Sequence, residues 1–496
     1  MSKEKNKILV WLEDHTYHFG ITKFIQELSD SKIYAIISAN PSAKKFYQKQ
    51  DLLRLEKSWY IRDSINLKNK NFDLSFLQNF EKKYDISIWK LVSGERFFNN
   101  YSKYHQFTHD EILSILEQEI KFYEKILSET KPRYLIMRIP EFQDIHLLYL
   151  MSKKLGITPL LLDYTRFGYR CLINSVPDAV VDFKSTSVPK NLENFTQLLN
   201  RVQNYSTQHS LAITKRRGSK KNFLKAGLKF LLSSESKEFQ NYYQNLDKSK
   251  LNVFLTEMNS VKQHSKHKSF IDKNFLKSLK NNIPFIYFPL HFEPEQTTLI
   301  KTPYYTNQIE VITNIAKSLP IEFSLFVKEH PAMRLSGWRK ISEYKKILKL
   351  PNVQLIHPSL SNSEIIPKSS LVITISGTSG LEAAFYKKPS IIFTKVNYSN
   401  LSSVYLMKNW QELPDLILDA LNTEVNLSEL NQYVNHVESI SFPFDAWGLE
   451  QMSDDYFAVG GFLSGSNLSI ESMSDFLEKN KSTFTLLASE HLSKIN

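Results

Sequence analysis

The chain has 496 residues, of which 42% are hydrophobic and 23% charged, a composition that excludes a disordered chain and implies two to three domains with sizeable cores. Its formal charge of +12 admits anionic ligands, anionic lipid or nucleic acid, but no zinc-finger spacing or RNA-binding aromatic motif appears, so nucleic acid is not an expected partner. One cysteine, Cys171, excludes an internal disulfide and a Cys-based zinc site and fits a reducing compartment.

The first element is a strand over "KILVWL" (Lys7–Leu12). A loop "EDHTYHFG", a helix "ITKFIQELSD" and a second strand "IYAIISA" (Ile33–Ala39) follow, the opening of an α/β unit. The apolar run at Ile8 to Leu12 is too short for a signal-peptide core, and no stretch of about 18 apolar residues offers a membrane span. A cytoplasmic protein is expected, with peripheral contact on the inner face of the cell membrane left open. An aromatic-rich, mainly helical insertion runs from about Ser42 to Thr130. The α/β pattern resumes with "RYLIMRI" (Arg133–Ile139). Next comes a helix in which Ile145, Leu148, Tyr149 and Met151 fall near helical spacing and Gly156 is the stop, and then "ITPLLLDY" (Ile157–Tyr164). Residues 1–188 are therefore expected to form one parallel-sheet domain.

Residues 189–280 read as a basic linker. Between Lys215 and Lys229 there are seven Lys or Arg and no acid, and Phe223, Leu224, Gly227, Leu228, Leu231 and Leu232 could form one apolar face. Residues 215–232 are either a connector with solvated lysines or a basic amphipathic helix lying on an anionic membrane surface. A second α/β domain is expected over 281–423. Its strands are "PFIYFPL" (Pro284–Leu290), "FSLFVKEHP", "NVQLIHP", "LVITI" and "SIIF", with helices between them. Residues 424–496 read as a helical or irregular tail. The fold class is α/β, with two doubly wound parallel sheets whose ligands belong at the carboxyl ends of strands.

Chemistry-bearing residues cluster at those ends. "LVITISGTSGLEAAF" runs from a strand into Ser376, Gly377 and Thr378 and then a helix. This is either a phosphate seat, built from small residues and unpaired N–H groups, or a capped helix that needs no ligand, since Ser379 and Glu382 have the spacing of a capping box. "LFVKEHPAMR" ends a strand in Lys328, Glu329 and His330, held extended by Pro331, with Arg334 beyond. Lys328 and Arg334 supply charge for a phosphate, and His330 either donates to a ligand or packs locally. "PLHFEPEQTT" offers His291, Glu293, Glu295 and Gln296. Its acids resemble metal ligands but lack helical i, i+4 spacing and a fourth ligand, so a polar binding loop is expected and no metal. In the first half, "EDHTYHFG" supplies Glu13, Asp14 and His15, and "IPEFQDIH" supplies Glu141, Asp144 and His146. Carboxylates at strand ends facing a cleft are general-base candidates.

The ordered pair "VKEHP" (Val327–Pro331) and "SGTSGLEA" (Ser376–Ala383), with "KKPSIIF" after it, resembles the bacterial capsule polysaccharide biosynthesis family, GT-B-type glycosyltransferases that include the Kdo transferases. "YDISIWKLVSGERFF" (Tyr84–Phe98), "TRFGYR" (Thr165–Arg170) and "PLHFEPEQTT" are similar to the same group. The resemblance implies two Rossmann-like domains facing a cleft and a nucleotide-sugar donor, commonly CMP-linked, on the C-terminal one. It implies that His330 contacts the nucleotide, that Ser376, Gly377 and Thr378 bind its phosphate, and that Glu382 is a candidate for the ribose. A glycan or lipid-linked glycan acceptor and the base would come from the N-terminal half, with Asp14 the first choice and Asp144 the second. Arg166, Arg170, His15, His291, Glu293 and Gln296 are candidate substrate contacts. No cofactor is implied. The rival expectations are a CDP-glycerol-type phosphotransferase, a nucleotide-sugar epimerase, and a non-catalytic component of a polysaccharide assembly complex.

Overall fold

Runs of Ile, Leu, Val and Phe recur between helices, and near-continuous apolar strands of this kind are buried on both faces by helices. The computed structural model describes residues 6–14, 16–99, 102–189, 191–201, 242–279, 283–336, 338–457 and 468–495. The basic stretch 215–232 lies outside them. Strands β1 (Lys7–Glu13), β2 (Lys32–Ser38), β3 (Lys57–Tyr60), β4 (Tyr134–Ile136), β5 (Thr158–Tyr164), β6 (Arg170–Asn174) and β13 (Phe442–Pro443) form one sheet. Strands β7 (Phe285–Pro289), β8 (Ser324–Lys328), β9 (Val353–Ile356), β10 (Leu371–Thr374), β11 (Ser390–Ile392) and β12 (Val404–Leu406) form the other.

The second sheet is ordered β12-β11-β10-β7-β8-β9, and all of its pairs are parallel. This is the doubly wound dinucleotide-fold order, which reverses between β7 and β10. The first sheet is ordered β13-β6-β5-β4-β1-β2-β3, with β3, β2, β1, β4 and β5 parallel. It reverses between β1 and β4. The α/β architecture with two parallel sheets is thus as the sequence predicts. The differences are short strands at or next to the sheet edges. β3 sits within the helical insertion, β12 follows a turn, and β6 returns antiparallel to β5 through a turn at Gly168, whose φ of 64° suits glycine. Edge strands bury one face at most and so lack the continuous apolar signature of β1 or β10.

Residues 424–496 pass from one domain to the other. The helix Leu427–Ile440 packs Leu430, Tyr433, Val434 and Val437 against Phe167, Phe183 and Tyr398. β13 then pairs antiparallel with β6, Phe442 opposite Cys171. The helices Ala446–Phe457, Ile470–Lys479 and Lys481–Leu492 close the N-terminal core, where Phe476, Phe484 and Leu487 join Ile8, Val10 and Phe19. The helix Tyr17–Leu28 lies directly on Lys481–Leu492, and a Cβ on Gly20 would fall 2.4 Å from the fully buried Phe484 ring.

A methyl group at position 20 has nowhere to go, because the ring it meets is enclosed. Gly20→Ala is expected to destabilise the protein by about 1–3 kcal/mol, the range for overpacking a close-packed interior. A lowered midpoint of urea unfolding with unchanged slope checks this, and an unchanged midpoint contradicts the contact.

Candidate functional site

The loops after the switch-point strands of the second sheet build its crevice. His291 follows β7 and Ser376–Thr378 follow β10. His291 is buried, its ring nitrogen Nε2 accepts from the Ser376 N–H at 3.4 Å, and the same atom lies 3.3 Å from Thr374 Oγ1. Burial, with His330, Arg166, Arg339 and Lys301 around it, pushes the imidazole pKa down to about 3, so it is neutral. The Gly377 N–H is taken by Thr374 Oγ1 at 3.0 Å, and the Gly377 carbonyl accepts from Tyr398 OH at 2.5 Å. A Cβ on Gly377 would lie 2.7 Å from Thr374 Oγ1, which requires glycine there. Two N–H groups of this turn are therefore spoken for internally. The Ser376 hydroxyl is buried with no hydrogen-bond partner among the described residues, and Thr378 is exposed. The helix begins at Ser379 with Thr378 at the N-cap, so the Ser379–Glu382 capping box does not form. Glu382 instead accepts from Asn362 Nδ2 at 2.9 Å and from the Thr378 side chain.

Asn362, just after β9, connects the elements. Its side-chain oxygen accepts from Tyr287 OH at 3.0 Å and from Lys328 Nζ at 3.2 Å, while its amide donates to Glu382 and to Ser379 Oγ. Lys328, at the end of β8, is buried. Burial pulls its ammonium down to about 8, only partly offset by Glu382 and Glu364. Glu329 points the other way, into a buried network with Arg339 Nε at 2.9 Å and Tyr344 OH at 2.7 Å. Arg339 also binds Glu293 at 2.5 Å and the His291 carbonyl at 2.5 Å. Glu293 is thus committed to holding the loop after β7. Among the described residues no group of His, Cys, Asp and Glu gathers to hold a metal. His330 Nδ1 accepts from the Ala332 N–H at 3.2 Å, which leaves the proton of the neutral ring on Nε2 as a donor. Arg334 is exposed on a single helical turn and Gln296 is half-buried beside Thr297–Lys301.

Arg166 joins the two domains. It follows β5 with a left-handed φ of 62° and forms a bidentate pair with Asp178 at 2.9 and 2.6 Å. Its third nitrogen donates to the Ser376 carbonyl at 2.6 Å. Asp178 also takes Lys301 from the second domain and the Asn397 N–H at 3.3 Å, and Asn397 donates to the Thr165 carbonyl at 2.6 Å. Beside this cluster the half-buried Glu295 extends from the loop after β7. Burial raises its carboxyl to about 7, with Glu141 adding to the shift and Arg166 and Arg96 opposing it.

The first sheet has its own crevice at the β1/β4 reversal, a cavity of about 160 Å³ lined by Glu13 at the end of β1, Asp14 just after it, Ser38 at the end of β2, Arg62, Arg138 and Asp144, with Trp11, Phe142 and Gln244. Arg138 binds Glu13 at 3.1 Å and Glu141 at 2.9 Å. Asp14 accepts from the Asn40 N–H at 2.7 Å and stands 4.0 Å from Arg62. Asp144 is buried and accepts from Tyr242 OH at 2.5 Å, and burial raises its carboxyl. A larger groove of about 560 Å³ around Lys83, Lys131 and Leu155 lies at the opposite edge, below the amino ends of β4 and β5, away from every group described above.

The structure therefore gathers Asp14 with Asp144 in one crevice, and Lys328, His330, Ser376, Gly377, Thr378, Glu382 and His291 around the other. Arg170 goes elsewhere. Its guanidinium caps the helix Leu427–Ile440 through the Glu438 and Ser441 carbonyls and Ser441 Oγ, so it holds the chain crossing. His15 lies outside the described residues. Sequence reasoning passes over Asn362, Asp178, Lys301, Arg62 and Trp11. Asn362 alone had a signal, since it follows a strand end in "HPSLSN".

No curated protein matches the chain in sequence. Among solved structures it is similar to a UDP-GlcNAc 2-epimerase from Methanocaldococcus jannaschii, at 13% identity over 87% of this chain and 99% of that one, with a TM-score of 0.25. It is also similar to the Neisseria meningitidis UDP-GlcNAc 2-epimerase (12% identity, 87% and 99% covered, TM-score 0.22) and to Thermosulfurimonas dismutans KpsC, a beta Kdo 2,7 transferase (13% identity, 70% and 87% covered, TM-score 0.30). The strand orders, and not these likenesses, define the fold. Residues 184–402, which hold both the Lys328–Pro331 and the Ser376–Ala383 motifs, match the capsule polysaccharide biosynthesis protein family, the family those motifs resemble.

Proposed function

We propose that the protein is a glycosyltransferase of surface polysaccharide synthesis, taking a nucleotide-sugar donor in the C-terminal crevice and a glycan acceptor in the N-terminal one. The observation that supports it is the pairing of two switch-point crevices, one rich in phosphate-binding groups and one in carboxylates, with Arg166 and Glu295 between them. Lys328, the hydroxyls of Ser376 and Thr378, and Arg334 meet the donor phosphates. His330 Nε2 donates to the nucleotide. Glu382 accepts from Asn362 Nδ2 and from the Thr378 side chain, and through them orients the turn that meets the donor beside the ribose. Charge developing on the departing phosphate is stabilised by Lys328 and the turn dipoles without a metal. Glu295 is the favoured base for the acceptor hydroxyl, because it stands between the crevices and titrates near neutrality. Asp14 orients the acceptor. Asp144, committed to Tyr242, shapes the cavity floor. Among the described residues no helix is long and apolar enough to cross a membrane, and an anionic membrane surface as partner rests on residues 215–232.

A nucleotide that binds only the folded state raises the melting temperature. CMP, among CMP, CDP, UDP and GDP, is expected to do so, and Lys328→Met to weaken it about 10- to 100-fold, the loss of a charge-assisted hydrogen bond. No stabilisation by any of the four removes the transferase reading. Incubation with the donor alone tests the rival, since an epimerase converts it without an acceptor.

The base is tested by pH. A carboxylate base works only when deprotonated, so the rate should rise as pH passes upward through about 7, where Glu295 titrates among Glu141, Arg166 and Arg96. Glu295→Gln is expected to remove that limb and lower kcat by about 10²–10⁴. A variant that keeps the limb assigns the base elsewhere, with Asp14 next.

A further inference from the structure

The helix Lys250–Asn274 carries its large apolar side chains on its outer side. Val253, Thr256, Ser260, His264 and His267 recur at intervals of three and four, so they share one face. All five are half-buried, and Ile271, at the same spacing, is fully buried. That inner face is mostly polar. Leu251, Leu255 and Met258 share the opposite face and are 63%, 51% and 38% exposed. A helix on a globular core ordinarily buries its apolar stripe and turns its polar side to water. Here the stripe faces water. Exposed apolar residues scattered singly are ordinary, but three in register over two turns mark a contact surface.

The same outer line continues into charge. Lys262, Lys266 and Lys273 follow Met258 at helical spacing, and all three are exposed. Among the described residues none of them forms an ion pair, and Asp272 of the same helix is taken by His357 at 3.0 Å. The helix is held firmly at both ends. Asp247, just before it, pairs with His105 of the first domain at 2.7 Å, while Ile271 and Phe275 enter the core of the second. Between these anchors the His264 ring stacks on Trp338, with centroids 6.1 Å apart. Its 25 residues make a rod of about 37 Å running from one domain to the other.

Charge selects the occupant of this face. A second copy of the helix would set lysine against lysine in a parallel pair, and lysine against leucine in an antiparallel one. Apolar residues at one end and unpaired lysines at the other, on a chain of formal charge +12, match an anionic lipid surface. There the apolar side chains enter the boundary between headgroups and acyl chains, and the ammonium groups stay among the phosphates. We propose that the outer face of the helix Lys250–Asn274, through Leu251, Leu255, Met258, Lys262 and Lys266, docks the protein on an anionic lipid bilayer, with the helix in the plane of its surface. Gln244 lines the N-terminal cavity just before this helix begins, so the connector wall of that cavity adjoins the docked end. The surface is separate from residues 215–232, and the docking rests on no part of the transferase reading.

The test is co-sedimentation of the full chain with vesicles of phosphatidylcholine alone and of phosphatidylcholine mixed with phosphatidylglycerol. Binding is expected to the mixed vesicles only, and to weaken as salt is added. The double variant Leu251→Ser, Leu255→Ser should lower the affinity about 10-fold or more, through the apolar area no longer buried. Lys262→Gln with Lys266→Gln should lower it about five-fold for each lysine removed at low salt. All four side chains are exposed, so both variants should keep the wild-type midpoint of urea unfolding, and the lysine pair is an independent probe should the serine variant fold poorly. Four results overturn the proposal: no sedimentation with either vesicle, equal sedimentation with both, wild-type binding by either double variant (the lipid contact then lies elsewhere, with residues 215–232 next), or a lipid-free dimer in light scattering that the serine variant dissociates (a second copy then covers the face). Nucleotide thermal shifts on the same proteins separate the two readings. Nucleotide stabilisation without vesicle binding removes the docking proposal alone, and vesicle binding without nucleotide stabilisation removes the transferase reading alone.

Discussion

The Arg166–Asp178 pair is the constraint around which both domains are arranged. Its guanidinium has three functions at once: it grips Asp178 with two nitrogens, it holds the Ser376 carbonyl with the third, and it fixes the carboxylate that Lys301 and the Asn397 N–H share. A planar fork is needed for this, and lysine could not replace it. The pair is largely removed from water, so breaking it leaves an uncompensated charge, a loss of about 3–5 kcal/mol in comparable buried pairs. Because Ser376 opens the turn after β10, the position of that turn relative to the first domain depends on a residue of the first domain.

The same logic explains which groups around the C-terminal crevice are left over. Glu329 and Glu293 are consumed by Arg339, with Tyr344 donating to Glu329, and the N–H groups of Ser376 and Gly377 by His291 and Thr374. These contacts stiffen the loops after β7, β8 and β10. Lys328 is held by Asn362 through a neutral amide oxygen, and among the described residues no carboxylate forms an ion pair with it. An ammonium in that position keeps charge to offer, and the Ser376 hydroxyl keeps a donor. A site built to receive an anion is expected to satisfy its scaffold completely and its working groups incompletely.

The fold was legible where burial is two-sided. The cores of β1, β2, β5, β7 and β10 announce themselves as apolar runs because both faces of a parallel sheet are covered. β3, β6 and β12 were not, since short strands at or next to a sheet edge carry no such run. The crevices were legible in part, because strand ends are visible in sequence and strand order makes two of them neighbours. Lys328, His330 and Ser376–Thr378 were found in this way. Asp178 and Lys301 were not, for their role depends on a contact between domains that no local pattern encodes. Glu382 shows the opposite failure. Its spacing from Ser379 fits a capping box, but the helix starts one residue earlier than the box requires, and Asn362 takes the carboxylate.

The two crevices differ in how they are completed. The residues gathered at the C-terminal one come from its own sheet, at the ends of β7, β8 and β10 and in the segments after β7, β9 and β10, with Arg166 of the first domain against the Ser376 carbonyl. The N-terminal one borrows a wall from Tyr242–Gln244, beyond the first domain in sequence. The chain also returns late, through β13 and the helices that pack Phe484 against Gly20. The first domain is thus closed by segments that follow it, one at the cavity and one at the opposite core. A crevice that must recognise a fixed chemical group can be self-contained. One whose wall belongs to a connector can change its fit by altering a few connector residues and leave the sheet that carries Asp14 and Trp11 intact.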